Sequence, residues 1–226
     1  MRKSCTAVIV AAGTASRMLG IEKMLVPLGG KPVLRRSLEA LAASDRIDRI
    51  YVVTREDLLQ TVESLCRDEP KFCGAVLGGD TRTASVLRGL KAVGEAELVA
   101  IHDGARPLVT EAEIERTVDA AELYGAAAPA IPVHDTIKRV RDGFVVDTPD
   151  RSTLFAVQTP QIFETELLRS ALAEAEAKRI SLTDDCSAVE AMGLPVYLTE
   201  GSRENLKITV PTDLILAEAI LKEREK

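Results

Sequence analysis

The chain has no tryptophan, and only three tyrosines and four phenylalanines in 226 residues. Proteins that stack single-stranded nucleic acid need aromatic platforms, so this shortage excludes that class. Positive charge is also in deficit: 29 Lys and Arg stand against 35 Asp and Glu, a net charge of −6. Non-specific nucleic-acid binding rests on a basic face that displaces counterions, and no such excess exists here. No uninterrupted apolar run reaches the length of a membrane span. The four cysteines, Cys5, Cys66, Cys73 and Cys186, form no CxxC pair, and only His102 and His134 could complete a zinc site. That spacing offers neither a disulfide framework nor a metal cluster, and reads as free thiols in a reducing compartment. Arg2-Lys3 before the apolar residues 7–12 imitates a secretory leader, but the stretch is short and runs into a glycine turn. A buried first strand is the better reading, and a cytoplasmic location is expected.

Strand-like and helix-like stretches alternate along most of the chain. Residues 6–12 form a continuous small and β-branched run, as in a strand covered on both faces. Residues 32–43 follow, with Val33, Leu34, Leu38 and Leu41 at helical spacing. The pattern then predicts strands at 50–54, 74–77, 98–102 and 128–133, and helices at 57–66, 83–93 and 114–124. Helices at 164–178 and 187–192, a strand at 196–198 and a helix from Asp213 complete it. Alternation with short connections means βαβ crossovers. The expectation is one α/β domain over 1–226, Rossmann-like, with a mostly parallel sheet and helices on both faces. One segment breaks the pattern. Residues 136–141 and 144–147 are strand-forming runs joined by Asp142-Gly143, the strongest short hairpin signal. Its apolar residues can pack on the parent sheet or project to pair with another chain. As an insertion whose edges invite pairing, it is expected to protrude over about 135–153 as a dimerisation arm.

In open α/β sheets, ligands bind beyond the carboxyl ends of the strands, so the polar residues just after each strand are the candidates. After the first strand come Ala11-Ala12-Gly13-Thr14-Ala15-Ser16-Arg17-Met18, and then Lys23. Small residues let backbone N–H groups approach phosphate oxygens, while Arg17 and Lys23 supply charge. The loop is neither a Walker loop nor a GxGxxG fingerprint, and taken alone it equally fits an ordinary strand-to-helix turn. After the third strand, Gly78-Gly79-Asp80-Thr81 can make a tight turn in which Asp80 or Thr81 caps the next helix. After the fourth, His102-Asp103-Gly104-Ala105-Arg106 sets a carboxylate in front of the phosphate loop. One carboxylate suffices for Mg²⁺, whose octahedron phosphates and water complete. His102 reads as a packed, hydrogen-bonded histidine and not as a proton-transfer group.

Eight segments in this order resemble the nucleotidyltransferase family, most closely the cytidylyltransferases that act on methylerythritol phosphate in the non-mevalonate isoprenoid pathway. They are AAGxxxRM at 11–18, GGDxRxxSV at 78–86, HDGARP at 102–107, DTIK at 135–138, Asp150-Arg151, QTPQ at 158–161, TDDCS at 183–187 and NLKIT at 205–209. The resemblance spans essentially the whole chain. It implies a homodimer joined through the hairpin arm, converting CTP and the polyol phosphate to a CDP-polyol and pyrophosphate. Carried over by position, Arg17 and Lys23 would bind the triphosphate and stabilise the transition state, and Lys207 would bind phosphate near the reacting centre. Asp103 would hold Mg²⁺, and Ala105 would meet the ribose through its backbone. Ala11, Ala12, Gly13, Gly79, Asp80 and Ser85 would line the nucleotide pocket. Arg106, Thr136, Arg151, Thr159 and Thr183 match positions that contact or position the acceptor, with Thr136 and Arg151 reaching the site of the partner subunit.

Two positions depart from the family pattern. Ala15 stands where the family usually has a second glycine, and Glu22 where it usually has proline. If the backbone at residue 15 needs φ > 0, alanine adds on the order of 1 kcal/mol of strain. Glu22 removes a rigid turn and sets a negative charge near a polyanion. Neighbouring readings share parts of the pattern: a ribitol-5-phosphate cytidylyltransferase, a sugar-1-phosphate nucleotidyltransferase using UTP or GTP, and a non-catalytic CTP-binding regulator. TDDCS and Asp150-Arg151 favour methylerythritol phosphate, GGDxRxxSV disfavours the second, and Arg17, Lys23, Asp103 and Lys207 together disfavour the third.

Overall fold

The computed structural model describes residues 2–13 and 22–224, so Arg17 and Ala15 lie outside the described residues. Strand β1 (Cys5–Val10) is buried along almost its whole length, and a strand of that composition belongs at the centre of a sheet. It pairs in parallel with β4 (Arg49–Thr54) on one side and with β6 (Leu98–Asp103) on the other, Val8 standing opposite both Tyr51 and Ile101. Strand β5 (Phe72–Leu77) pairs in parallel with β4 and closes that edge. The connecting helices are α1 (Val33–Ala43), α2 (Leu59–Cys66) and α3 (Arg82–Val93), reached through a short β2–β3 ribbon (Pro27–Leu28 and Lys31–Pro32) and a 3-10 turn at Glu56–Leu58. These elements match the predicted ones to within a few residues.

The other half of the sheet differs from the expectation. Helix α4 (Glu111–Tyr124) begins three residues earlier than predicted, because Thr110 and Glu113 form a reciprocal capping box. It leads into β7 (Ala126–Pro132). Past the arm, β10 (Phe155–Val157) and β11 (Gln161–Glu164) lie along one edge of β7, both antiparallel to it. Strand β11 also pairs antiparallel with β6, so it is wedged between two strands that the alternation would have made neighbours. The predicted helix at 164–178 is α5 (Thr165–Ala177), which starts directly from that strand. Strand β12 (Tyr197–Glu200) follows α6 (Cys186–Ala191) and pairs in parallel with the free edge of β7. Leu34, Leu38, Ile114 and Val118 fill one face of the sheet, and Val86, Leu90, Leu168, Leu172 and Val189 the other. The C-terminal helix α7 (Pro211–Arg224) packs Ala217 into a smaller cluster with Leu28, Val33, Leu108 and Ile208. Among the described residues no helix is long and apolar enough to cross a membrane.

The hairpin consists of β8 (Arg139–Arg141) and β9 (Phe144–Asp147), turned by Asp142 and Gly143 at φ 50° and 82°. Two successive left-handed residues suit the right-handed strand twist, which is why Asp-Gly marks this turn. Pairing ends at Arg139, so the predicted strand at 136–138 is not formed; Lys138 instead donates from Nζ to Thr148 Oγ1 at 2.8 Å. The hairpin is exposed throughout, including Val140, Phe144, Val145 and Val146.

Candidate active site

Because β1, β5 and β6 run in one direction, their carboxyl ends open on the same rim of the sheet. A cleft of about 290 Å³ lies there, lined by Ala12 and Gly13 after β1, Gly79–Arg82 after β5, and Asp103 and Ala105 at the end of β6. Lys23, Ser85 and Lys207 complete its walls with Val10 and Met24. The turns after β1 and β5 approach so closely that a Cβ on Gly78 would sit 2.5 Å from Ala12 Cβ. Glycine is required there by contact. Ser85 Oγ accepts from the Gly79 N–H at 3.1 Å, and Thr81, not Asp80, caps α3 by accepting from the Ala84 N–H at 3.0 Å.

Asp103 is the electrostatic centre. Lys207 Nζ lies 2.7 Å from its Oδ2, with Arg82 at 3.8 Å and Arg106 at 3.9 Å. Burial alone would raise its carboxyl, but Lys207, Arg82 and Arg106 outweigh it and hold the group below the ordinary carboxylate range. Arg82 makes its tighter pair with buried Asp185, at 2.7 Å. Burial raises the Asp185 carboxyl in spite of that partner.

The segment carrying Lys207 is fastened from behind. Asn205 Nδ2 donates to the Thr159 carbonyl at 3.0 Å, while Arg106 and Gln158 Nε2 donate to the Asn205 carbonyl at 2.6 and 3.2 Å. The Ile208 N–H donates to the Ala105 carbonyl at 2.8 Å, and Ser37 Oγ to that of Gly104 at 2.9 Å. Lysine, carboxylate and ribbon of backbone are thereby held in one fixed arrangement.

Nine of the residues singled out from sequence line this cleft: Ala12, Gly13, Lys23, Gly79, Asp80, Ser85, Asp103, Ala105 and Lys207. Ala11 does not; its side chain is in the core and its N–H donates to Val53 O at 2.7 Å. Arg106 and Thr159 stand behind Asp103, buried or nearly so. Thr136 and Arg151 are exposed beside the hairpin, where Arg151 donates to the His134 carbonyl at 2.6 Å, and Thr183 is exposed before α6. The charge of Glu22 is matched by Arg55 at 2.8 Å, so it is not presented bare to an anion. Sequence reasoning missed Arg82, Asp185 and Asn205 as parts of the site, although each falls inside a quoted motif. Arg82 follows a Gly-Gly turn at a strand end, which is the signal that could have found it.

A cleft lined by the small residues of two strand-end turns, by Lys23, and by Lys207 beside an ionised carboxylate suits a polyanion, with or without a cation. The sequence model of one family, described as IspD: 2-C-methyl-D-erythritol 4-phosphate cytidylyltransferase, matches residues 5–223. Curated proteins of that name from Desulforamulus reducens and Parasynechococcus marenigrum are each 45% identical to the chain, covering 96% of it and 96% and 98% of themselves. The crystal structure of 4-diphosphocytidyl-2C-methyl-D-erythritol synthase from Anaerococcus prevotii superposes with a TM-score of 0.88 at 31% identity, covering 97% of this chain and 96% of that one. That of 2-C-methyl-D-erythritol 4-phosphate cytidylyltransferase from Thermus thermophilus gives 0.77 at 36% identity over 95% and 98%. The chain belongs to the IspD family of 2-C-methyl-D-erythritol 4-phosphate cytidylyltransferases.

Proposed function

We propose that the chain transfers CMP from CTP to 2-C-methyl-D-erythritol 4-phosphate, giving 4-diphosphocytidyl-2-C-methyl-D-erythritol and pyrophosphate. The relatives matched over nearly its full length carry the name of that activity. Within the site, the observation that carries the reading is the Lys207–Asp103 pair at 2.7 Å, facing a cleft walled by strand-end backbone.

A phosphate oxygen of the acceptor attacks the α-phosphorus of CTP. The new P–O bond forms as the bond to the β-phosphate oxygen breaks, and pyrophosphate leaves in line. A phosphomonoester with a second pKa of about 6 is mostly dianionic at neutral pH, so the nucleophile needs no base. The difficulty is repulsion between anions and charge growing on the leaving group, which positioned cations relieve. Lys23 and Lys207 act from the cleft walls, and Arg17 is assigned the same task from the family pattern. The base is read by the turns at Ala12-Gly13 and Gly79-Asp80 with Ser85, and the ribose by the Ala105 backbone.

The residues fit a divalent cation. Asp103 keeps its carboxylate ionised at the cleft, and Mg²⁺ takes only one or two carboxylates beside phosphates and water. Held by Asp103, Mg²⁺ would neutralise phosphate charge. The arm is assigned to homodimerisation, because Val140, Phe144, Val145 and Val146 are solvated on one chain, Phe144 being 78% exposed. Thr136 and Arg151, away from their own cleft, are assigned to the acceptor bound by a neighbouring chain. Buried free thiols at Cys5, Cys66 and Cys186, with an exposed one at Cys73, support a reducing, cytoplasmic setting.

Pyrophosphate release with CTP, UTP, ATP and GTP against a panel of polyol phosphates tests the assignment. CTP with methylerythritol phosphate should exceed every other pair by about tenfold or more in kcat/KM. Equal turnover with ribitol 5-phosphate would overturn the acceptor, and equal turnover with UTP or GTP the nucleotide.

A further inference from the structure

Behind the cleft wall, three hydrogen bonds join Asp103, Thr159, His102 and Arg106. The Asp103 backbone N–H donates to Thr159 Oγ1 at 3.0 Å. Thr159 Oγ1 lies 3.1 Å from His102 Nδ1, and His102 Nε2 lies 3.1 Å from the Arg106 carbonyl oxygen. A carbonyl oxygen can only accept, which puts the ring proton on Nε2. In a neutral ring Nδ1 is then bare, and it accepts from the Thr159 hydroxyl. The hydroxyl oxygen in turn accepts from Asp103, so every proton in the chain is assigned. His102 is fully buried.

We infer that His102 and Thr159 are a positioning couple for cytidylyl transfer, fixing the turn from Asp103 to Arg106 at both of its backbone ends. The inference rests on the reading of the cleft as the transfer site. The turn so fixed presents the Asp103 carboxylate and the Ala105 backbone, and through Ala105 O it holds Ile208 next to Lys207. Neither the imidazole nor the Thr159 hydroxyl is among the cleft-lining groups; both act through Asp103. The hydroxyl's one proton is committed to His102, so Thr159 has none to donate to an acceptor substrate. The family resemblance sets Thr159 among positions that contact or position the acceptor, and these hydrogen bonds favour the positioning role.

Two measurements test this. The first reads the ring without substrate. Long-range ¹H–¹⁵N spectra of the ¹⁵N-labelled chain, with His134→Gln to assign the only other histidine, should give a neutral His102 protonated on Nε2 at neutral pH. A proton on Nδ1 would overturn the relay. The second is kinetic. Thr159→Val removes the hydroxyl at nearly equal volume and should lower kcat about tenfold or more, leaving the KM for CTP within about twofold. Thr159→Ser should regain most of that loss. His102→Gln combined with Thr159→Val should cost little more than either alone, because both break one chain of bonds. Unchanged kcat in Thr159→Val, no rescue by serine, or multiplicative losses would each refute the couple. A wild-type chain inactive in transfer would refute the functional reading and the couple's role in it, while the tautomer still reports the relay itself.

Discussion

Among the described residues Asp103 has three cationic neighbours in ion-pair range, and they are not equivalent. Only Lys207, at 2.7 Å, is close enough for a charge-assisted hydrogen bond; Arg82 and Arg106 act at 3.8 and 3.9 Å. Lys207→Ala should therefore lower kcat by roughly 10²–10³-fold in steady-state assays, the scale of losing one positioned donor to developing charge. Arg82 has a different task, since its near partner is buried Asp185. Arg82→Ala strands that carboxylate and should cost about 3 kcal/mol in urea unfolding, much of it recovered by adding Asp185→Asn. His102 sets an acid limit on the fold. Burial holds its pKa down to about 4 against the ordinary 6.5, with Asp103, Arg106 and Lys207 facing the ring. As pH falls, the unfolded chain takes up this proton before the folded one, so the contribution is complete above 6.5 and lost toward 4. Between pH 7 and 5 the loss is about 2 kcal/mol, and unfolding of His102→Gln at the two values should lack it.

At the scale of elements, the site depends on how closely the strand-end turns approach. Adding a Cβ at Gly78 brings it to 2.5 Å from Ala12 Cβ, so Gly78→Ala should separate the two nucleotide-facing turns. The expected result is a KM for CTP raised several-fold, with kcat at saturation nearly kept. Thr81→Ala removes the cap of α3 next to Arg82 and should lower stability by about 1 kcal/mol, read as a shift in Tm. Of the strands that end at the cleft, β1 and β6 were legible as apolar runs that the fold buries almost without a break. The capping box at Thr110 and Glu113 was equally written in the residues, yet the apolar spacing alone starts that helix at Ile114. Strand β11 was not legible. It has four residues, follows Pro160 and continues without a break into α5, and only the path of the chain through the arm brings it back antiparallel. The Arg82–Asp185 pair was hidden for the same reason: local pattern places each residue at a helix start, and only the packed sheet brings them together.

For the whole molecule, the arm is the feature that a single chain leaves unexplained. Replacing β8, β9 and their turn with a short Gly-containing link should give a folded monomer by sedimentation, because that hairpin pairs only with itself and forms a separate two-stranded sheet. Mixing Arg151→Ala chains, which keep the hairpin, with Lys207→Ala chains should restore some transfer if a neighbour completes each site; no recovery would count against shared sites. The absence of tryptophan gives this question its own instrument. Near 295 nm the chain is almost dark, with only three tyrosines, two of them stacked at 4.3 Å as Tyr124 and Tyr197. Phe144→Trp would set a single emitter on the exposed arm, at a position that already carries a large aromatic ring. Its emission should shift to the blue as concentration rises and return to the red on dilution. The midpoint of that return is the dimer Kd, read with no label attached.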